Sequence, residues 1–445
     1  MRTVKESREV LAVLYGAAVA AAMPDAALSR VMRRQGAALW IAGEVLQTPG
    51  AVHVIAIGKG AAPMARQAER ILGDALAGGL AIVKKGHGLA LDKIRLLEAA
   101  HPVPDERSAR AGRALLQYLE RVAPGDLVLA LITGGASALT ACPSEGLSLA
   151  DLQGTTRALL QSGADIREMN AVRKHLVRVG GGLLARAVHP AAVRAILVSD
   201  VIGDDIGVIA SGPFAPDSST FAESLAVIGR RGISGRIPAA VLSRLQAGAR
   251  GEVPETPKAA NSCFARVRHV IAADNAKALA AMAKKAESMG FRVVCDRAPM
   301  QGEARVAALT LLDRARKAFE EKSGRPLCYL AGGETTVTVK GRGRGGRCQE
   351  MALAAAIALR GRRNVSALFA GTDGTDGPTG AAGGFADRES IAGLDALGAG
   401  VAERYLEDND SGSALQRAGA LFVTGPTRTN VMDVAAVVIE PQTAD

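Results

Sequence analysis

Short apolar runs closed by glycine recur along the chain and set its plan. In Val52–Leu72 (VHVIAIGKGAAPMARQAERIL) an apolar strand meets a Gly-Lys-Gly turn. A helix with Met64, Ala68 and Leu72 on one face follows. Asp126–Pro143 (DLVLALITGGASALTACP) repeats the plan: a buried strand, a Gly-Gly pair, then small polar residues. Between them lie an apolar segment at Leu80–Val83 and a helix that Asp105 or Ser108 can cap. A further buried strand, Arg194–Val198, delivers Ser199 and Asp200 to a loop. Ahead of all this, residues 5–35 predict a helix broken at Pro24.

The second half is built alike. VRHVIAADNAKALAAMAKKAESMGFRVVCD predicts strand, helix, strand, and MQGEARVAALTLLDRARKAF a further helix. The apolar segment Cys328–Leu330 then ends in Gly332, Gly333 and Glu334. The alternation Thr336, Val337, Thr338, Val339 predicts a strand, followed by the loop GRGRGGR and an Ala/Leu helix opened by Gln349 and Glu350. ALFAGTDGTDGPTGAAGGFAD is a strand entering a Gly/Asp/Thr loop, and ALFVTGPTRTNVMDVAAVVIE gives strand, loop and strand. Glycine-ended strands alternating with helices make both halves α/β. The Pro/Gly/Arg-rich stretch Gly248–Ser262 reads as the linker.

Composition narrows the chemistry. The chain has 445 residues, which favours two domains. Aromatics at 3% are too few for base-stacking platforms, and no Lys/Arg run suggests a nucleic-acid groove. A net charge of +10 favours small anionic ligands. Five cysteines without a close pair fit reduced thiols in a cytoplasm. No apolar run reaches the length of a membrane span, although LAVLYGAAVAAAM mimics a signal peptide. Glu6 and Glu9 stand where such a signal would be basic.

The candidate chemistry sits at the glycine turns. Gly58, Lys59 and Gly60 close the first strand, where α/β ligands bind, although GKGAAP is neither a Walker loop nor GxGxxG. Lys59 reads as functional, with a surface lysine on a tight turn as the plain alternative. Gly134, Gly135 and Ser137 read as a backbone anion site; Ser137 lacks the GxSxG context of a nucleophile. Gly332 and Gly333 echo that pair. In GRGRGGR the planar guanidiniums Arg342, Arg344 and Arg347 suit phosphate or carboxylate, against a solvated hairpin tip or a scrap of Arg-Gly RNA-binding sequence. Asp200, with Asp204 and Asp205 near it, can bind Mg²⁺ or take a proton. Asp373 and Asp376 can hold a metal or form Asx turns. His101, before Pro102, reads as a turn residue ahead of a base. Arg173, Lys174 and Arg178 form a basic helix face, functional or solvated.

Taken together, IGKGAAPMA, HPVPDE, TGGASAL, NAVRKHL, VSDVIGDD, SGP, GGETTVTV, GRGGR-QE, GTDGTDGPT and TGPTRTNV resemble, in this order, the type II glycerate kinase family. The resemblance covers nearly the whole chain. It implies a Rossmann-like N-terminal domain over 1–250, with a parallel sheet and helices on both faces. It also implies a smaller α/β domain over 262–445 containing a MOFRL region near 325–440, and an active site in the cleft between the two. The implied reaction moves the γ-phosphoryl group of ATP, with Mg²⁺, to the 2-hydroxyl of D-glycerate. Carried over, Lys59 and Arg347 are catalytic, with Asp200 as base or metal ligand and Glu334 and Asp373 as second choices. Members are also labelled hydroxypyruvate reductase, which would need a nicotinamide site; a third reading is a non-catalytic binder of phosphorylated metabolites, using the same cradles without Mg²⁺ or turnover. Partners are then a nucleotide and a small hydroxy acid, with no nucleic acid or membrane and a homodimer left open. Cys348, Gly380, Val177, Gly180 and Met432 depart from the usual Asn, Asp, Ser, Lys and Asn, which leaves the identity of the hydroxy acid open.

Overall fold

A computed structural model describes residues 2–47, 50–320 and 324–441. The chain divides into two compact units, Pro24–Ala272 and Met1–Met23 with Ala273–Asp445. This differs from a division at a 248–262 linker. Glu255 and Thr256 of that stretch are bound into the first unit: Glu255 accepts from the Phe221 amide at 2.8 Å, and the Thr256 hydroxyl donates to Asp217 at 2.9 Å. The stretch is part of a domain because its polar groups are used there.

The unit Pro24–Ala272 is built on a six-stranded sheet. Its strands are Val52–Ile57, Leu76–Lys84, Ile94–Ala99, Leu127–Ile132, Ala192–Val198 and Val267–Ala273. Numbered in chain order within the sheet they lie 3-2-1-4-5-6, and the four ladders joining the first five are parallel. This is the doubly wound Rossmann order, which reverses between the first and fourth strands. Strands buried on both faces must be apolar throughout. Accordingly every residue of Val52–Ile57 and Leu127–Ile132 is buried. Alternate residues Ile55, Ile57, Val128, Ala130 and Ile132 pack with Leu115 and Leu119 of helix Glu106–Leu119. Helix Ala61–Leu72, whose Met64 and Ala68 are buried, lies against the same strands and covers the opposite face. A satellite core gathers helices Leu149–Gln161, Ile166–Lys174, Phe221–Arg230 and Ala239–Ala249 around Leu159, Val172, Phe221 and Leu245.

In the other unit the strands order as Arg292–Cys295, Leu327–Gly333, Asp433–Ile439, Val365–Gly371, Gly383–Ala386 and Leu421–Phe422. The first pair is parallel and the rest antiparallel. Leu327–Gly333 and Val365–Gly371 both run against Asp433–Ile439, so they end at the same edge, with Gly333 and Gly371 each opposite Asp433. Helix Arg347–Ala358 is buried along nearly its whole length and packs on helix Ala304–Glu320 and on strands Val365–Gly371 and Gly383–Ala386. Helix Val4–Ala22 belongs here. It opens with a Thr3/Glu6 capping box, buries Leu11, Leu14 and Ala18, and packs on helix Asn275–Ser288 and strand Val365–Gly371.

Two local expectations change. The predicted helix over 5–35 ends at Val31, and Met32–Gln35 begins a small antiparallel sheet with Ala38–Ile41 and Glu44–Gln47. Thr336–Val339 forms no strand: beyond a bridge at Thr336, the Thr338 amide is held by the Glu303 carboxylate and Val339 is exposed. The alternating pattern is real, but the segment follows the last residue of strand Leu327–Gly333, and among the described residues no strand pairs with it beyond the Glu303–Thr336 bridge.

Candidate active site

The sheet reversal places two glycine turns side by side. Gly58 follows strand Val52–Ile57 at φ +137°, and a Cβ there would lie 2.1 Å from the Thr133 hydroxyl. Only glycine meets both demands. The turns are stitched together: the Lys59 amide donates to the Gly134 carbonyl at 2.9 Å and the Gly60 amide to Thr133 Oγ1 at 3.0 Å. A Cβ on Gly135, at φ +90°, would touch the His101 ring at 2.9 Å and Lys59 Cγ at 3.2 Å. One on Gly134 would come within 2.2 Å of Asp200 Oδ2. The paired glycines are therefore the floor on which Lys59, His101 and Asp200 converge. The three side chains follow three different strands, Val52–Ile57, Ile94–Ala99 and Ala192–Val198, all at carboxyl ends. Ligands of open α/β sheets bind at this place.

His101 sits in the turn after its strand with its ring packed near Gly135. Burial, then the charges of Lys59 and Lys84, lower its pKa to about 4, so it is neutral at pH 7. A chain unfolded at pH 5 takes up a proton that the native His101 refuses. The stability this group contributes is thus present above about pH 6.5 and lost as pH falls toward 4. His101→Gln should remove that component, narrowing its stability deficit from the parent as pH falls from 7 to 4.5 in denaturant titrations. Parallel pH profiles for the two proteins would contradict the assignment.

Ser137 lies in the four-residue helix Ala136–Leu139, with its Oγ 2.9 Å from Ser211 Oγ. Ser211 in turn donates to Asn170 Oδ1 at 3.2 Å. Ser137 is thus joined through Ser211 to an amide, not to an acid or imidazole, in these bonds. Asp205 forms a local turn through the Gly207 amide at 2.8 Å.

In the other unit Arg347 is the first residue of its helix. Its guanidinium grips Asp433 with both prongs, Nε to Oδ2 at 2.6 Å and Nη2 to Oδ1 at 2.9 Å. Nη1 meets Glu334 at 2.7 Å. Burial disfavours its charge, but the Asp433 and Glu334 carboxylates outweigh that and hold it above the usual arginine range. Asp433 is 1% exposed, so Arg347 is its essential counter-charge. Cys348, fully buried, hydrogen-bonds the same carboxylate, and burial keeps its thiol protonated. The sequence reading missed Asp433. Its signal is a single acid heading the otherwise apolar strand Asp433–Ile439.

The remaining glycines and acids also have close structural partners. A Cβ at Gly341, Gly343 or Gly345 would strike Asp408, Asp410 or Ser411 at 2.2 Å. The amides of Arg342 and Arg344 donate to the side chains of Asp408 and Asp410, both at 2.9 Å. The Gly/Arg loop is narrow because another stretch of chain lies against it. Gly332 faces Asn275, and Gly333, at φ +145°, faces the Met300 backbone. Asp376 is buried and accepts from the Cys348 and Gln349 amides at 3.1 and 2.8 Å, capping helix Arg347–Ala358; burial raises its pKa to about 6. Asp373 accepts from the Thr375 amide and hydroxyl through Oδ1, both at 3.0 Å, an Asx turn that leaves its other oxygen for a ligand. Among the described residues no group of three His, Cys, Asp or Glu could hold a metal ion.

Comparison with known proteins agrees with this architecture. A domain of unknown function, DUF4147, matches residues 10–246, and the MOFRL family matches residues 327–433. The glycerate 2-kinase of Pyrococcus horikoshii is 38% identical, with 97% of each chain covered. The chain belongs to the glycerate 2-kinase family. The D-glycerate 2-kinase of Thermotoga maritima is 42% identical over 86% of this chain and 89% of its own. A Thermotoga maritima glycerate kinase crystal structure superposes with a TM-score of 0.85 at 37% identity, covering 98% of this chain and all of that one. Within a glycerate 2-kinase fold, Lys59 and Asp200 stand together at the switch point, while Arg347 is anchored by Asp433.

Proposed function

We propose that the chain is an ATP-dependent glycerate 2-kinase, moving the γ-phosphoryl group to the 2-hydroxyl of D-glycerate. The observation that carries this reading is the meeting of Lys59 and Asp200 over Gly134–Gly135 at the switch point of a Rossmann sheet. Phosphoryl transfer requires positioning and charge neutralisation more than covalent help. Lys59 neutralises negative charge on the transferring group. Asp200 accepts the proton of the attacking hydroxyl or holds the metal, and Glu334 and Asp373 are the reserve carboxylates for these roles. Arg347, fixed by Asp433, supplies a second, rigid cation. The small polar turn Gly58–Gly60 with Gly134–Ser137 contacts phosphate oxygens. An acid beside a lysine suits a Mg²⁺ that arrives on the nucleotide, since Mg²⁺ is usually held by one or two carboxylates plus substrate phosphates. Bound there, the ion would offset phosphate charge. Five unpaired cysteines support a cytoplasmic setting.

The turn after Val52–Ile57 reads GKGAAP, which lacks the GxGxxG that seats a nicotinamide dinucleotide. Two steady-state assays separate the readings. ATP with D-glycerate should give ADP and phosphoglycerate, and chelation of divalent ions should abolish it. NAD(P)H with hydroxypyruvate should show no oxidation. Full phosphorylation after exhaustive chelation, or reductase turnover without kinase turnover, would overturn the proposal.

A further inference from the structure

Helix Ile166–Lys174 ends in two cations with opposite fates. Lys174 is buried and ion-paired with Asp217 at 3.2 Å. Arg173 lines a narrow cavity of the same unit, with Ser137 and Ser211 beside it and Ile57, Val177 and Leu184 among its apolar walls. Among the described residues nothing forms an ion pair or hydrogen bond with its side chain, and burial alone lowers its pKa from the ordinary arginine value. Arginine does not shed its proton in a protein. Arg173 is half-buried, and a guanidinium drawn into a cavity without a counter-charge loses part of its hydration uncompensated; it is retained where something else supplies the anion.

The neighbouring groups say what kind of anion. Ile57 leads into the Gly58–Lys59 turn, and Ser137 lies two residues beyond Gly135, on which Lys59 and His101 pack. The cavity therefore starts at the turn that gathers the reactive groups. Ser211 gives its hydroxyl proton to Asn170, so it accepts from Ser137, and Ser137 keeps lone pairs to accept from a ligand hydroxyl. In the same cavity as the planar two-pronged donor Arg173, this matches a small molecule with a carboxylate and a nearby hydroxyl.

We infer that Arg173 binds the carboxylate of the hydroxy-acid substrate and that Ser137 accepts a hydrogen bond from a substrate hydroxyl, making this cavity the acid-recognition subsite. The inference rests on the glycerate kinase reading. It makes Arg173 a binding residue that selects 2-hydroxy acids over their neutral analogues.

Arg173→Met and Arg173→Lys in the full chain test it. In Arg173→Met the KM for D-glycerate should rise about 10²-fold, the scale for losing a charge-assisted contact, with the KM for ATP within about twofold. Arg173→Lys should fall between. The ligand-free melting temperature of Arg173→Met should be no lower than the parent's, because an uncompensated charge is removed. Unchanged KM for D-glycerate would overturn the inference. So would a rise confined to ATP, which would place a nucleotide phosphate there, or a lowered melting temperature with glycerate affinity intact, which would make Arg173 structural. Calorimetric titration with D-glycerate alone keeps the two readings apart. If the parent binds but does not phosphorylate it, the kinase reading fails while loss of binding in Arg173→Met still supports the subsite. Equal binding, or none by the parent, counts against the subsite.

Discussion

Lys59→Ala should lower kcat for ATP-dependent glycerate phosphorylation by about 10²-fold or more while leaving the fold intact. The scale is that of losing one preorganised electrostatic contact to a group whose charge develops in the transition state. Lys59 is preorganised by its backbone: its amide is bonded to Gly134, and its stem rests on Gly135 beside the neutral His101. Its side chain is not needed to hold the turns together, since Thr133 and the glycines do that. Turnover is the quantity to measure, on a variant whose melting temperature matches the parent. Unchanged kcat in such a protein would remove Lys59 from the mechanism.

Arg347→Ala should do two things at once. It should abolish most activity, and it should destabilise the protein by about 3–5 kcal/mol, the usual effect of stripping the partner from a buried charge. Asp433 is the buried member, so the carboxylate left behind is the source of the loss. The double replacement Arg347→Ala with Asp433→Val should recover much of that stability, because apolar substitutes for buried ion pairs are often neutral. It should recover no activity. Arg347→Lys keeps the charge but loses the two-pronged grip, and should weaken both properties less. Denaturant titration beside kcat separates the two effects. A stable and inactive Arg347→Ala would show that the Asp433 pair has no structural value.

Local patterns made much of the first unit legible. Apolar strands closed by glycine named both turns of the switch point, and an acid at a strand's carboxyl end named Asp200. What such patterns cannot carry is strand order, because Val52–Ile57 and Leu127–Ile132 become neighbours only through long-range pairing. The same limit explains the Gly/Arg loop. Glycine next to arginine suggested an anion cradle, yet Gly341, Gly343 and Gly345 are small because residues 408–411 press on them. Gly332 and Gly333 likewise yield to Asn275 and Met300. A glycine's reason is often a neighbour far away in sequence. Asp376 and Asp433 differ from Asp200 only in what surrounds them, one capping a helix and the other holding an arginine. Helix Val4–Ala22 was recognisable as a helix, but its membership of the unit holding Ala273–Asp445 depends on packing alone.

The most direct test of the central claim is phosphorus NMR of the reaction mixture with ATP, Mg²⁺ and D-glycerate. The account predicts a 2-phosphoglycerate resonance growing in step with ADP, at a rate that falls about 10²-fold in Lys59→Ala. Glycerate left unphosphorylated by the parent protein, or phosphorylated equally well without Lys59, would contradict it.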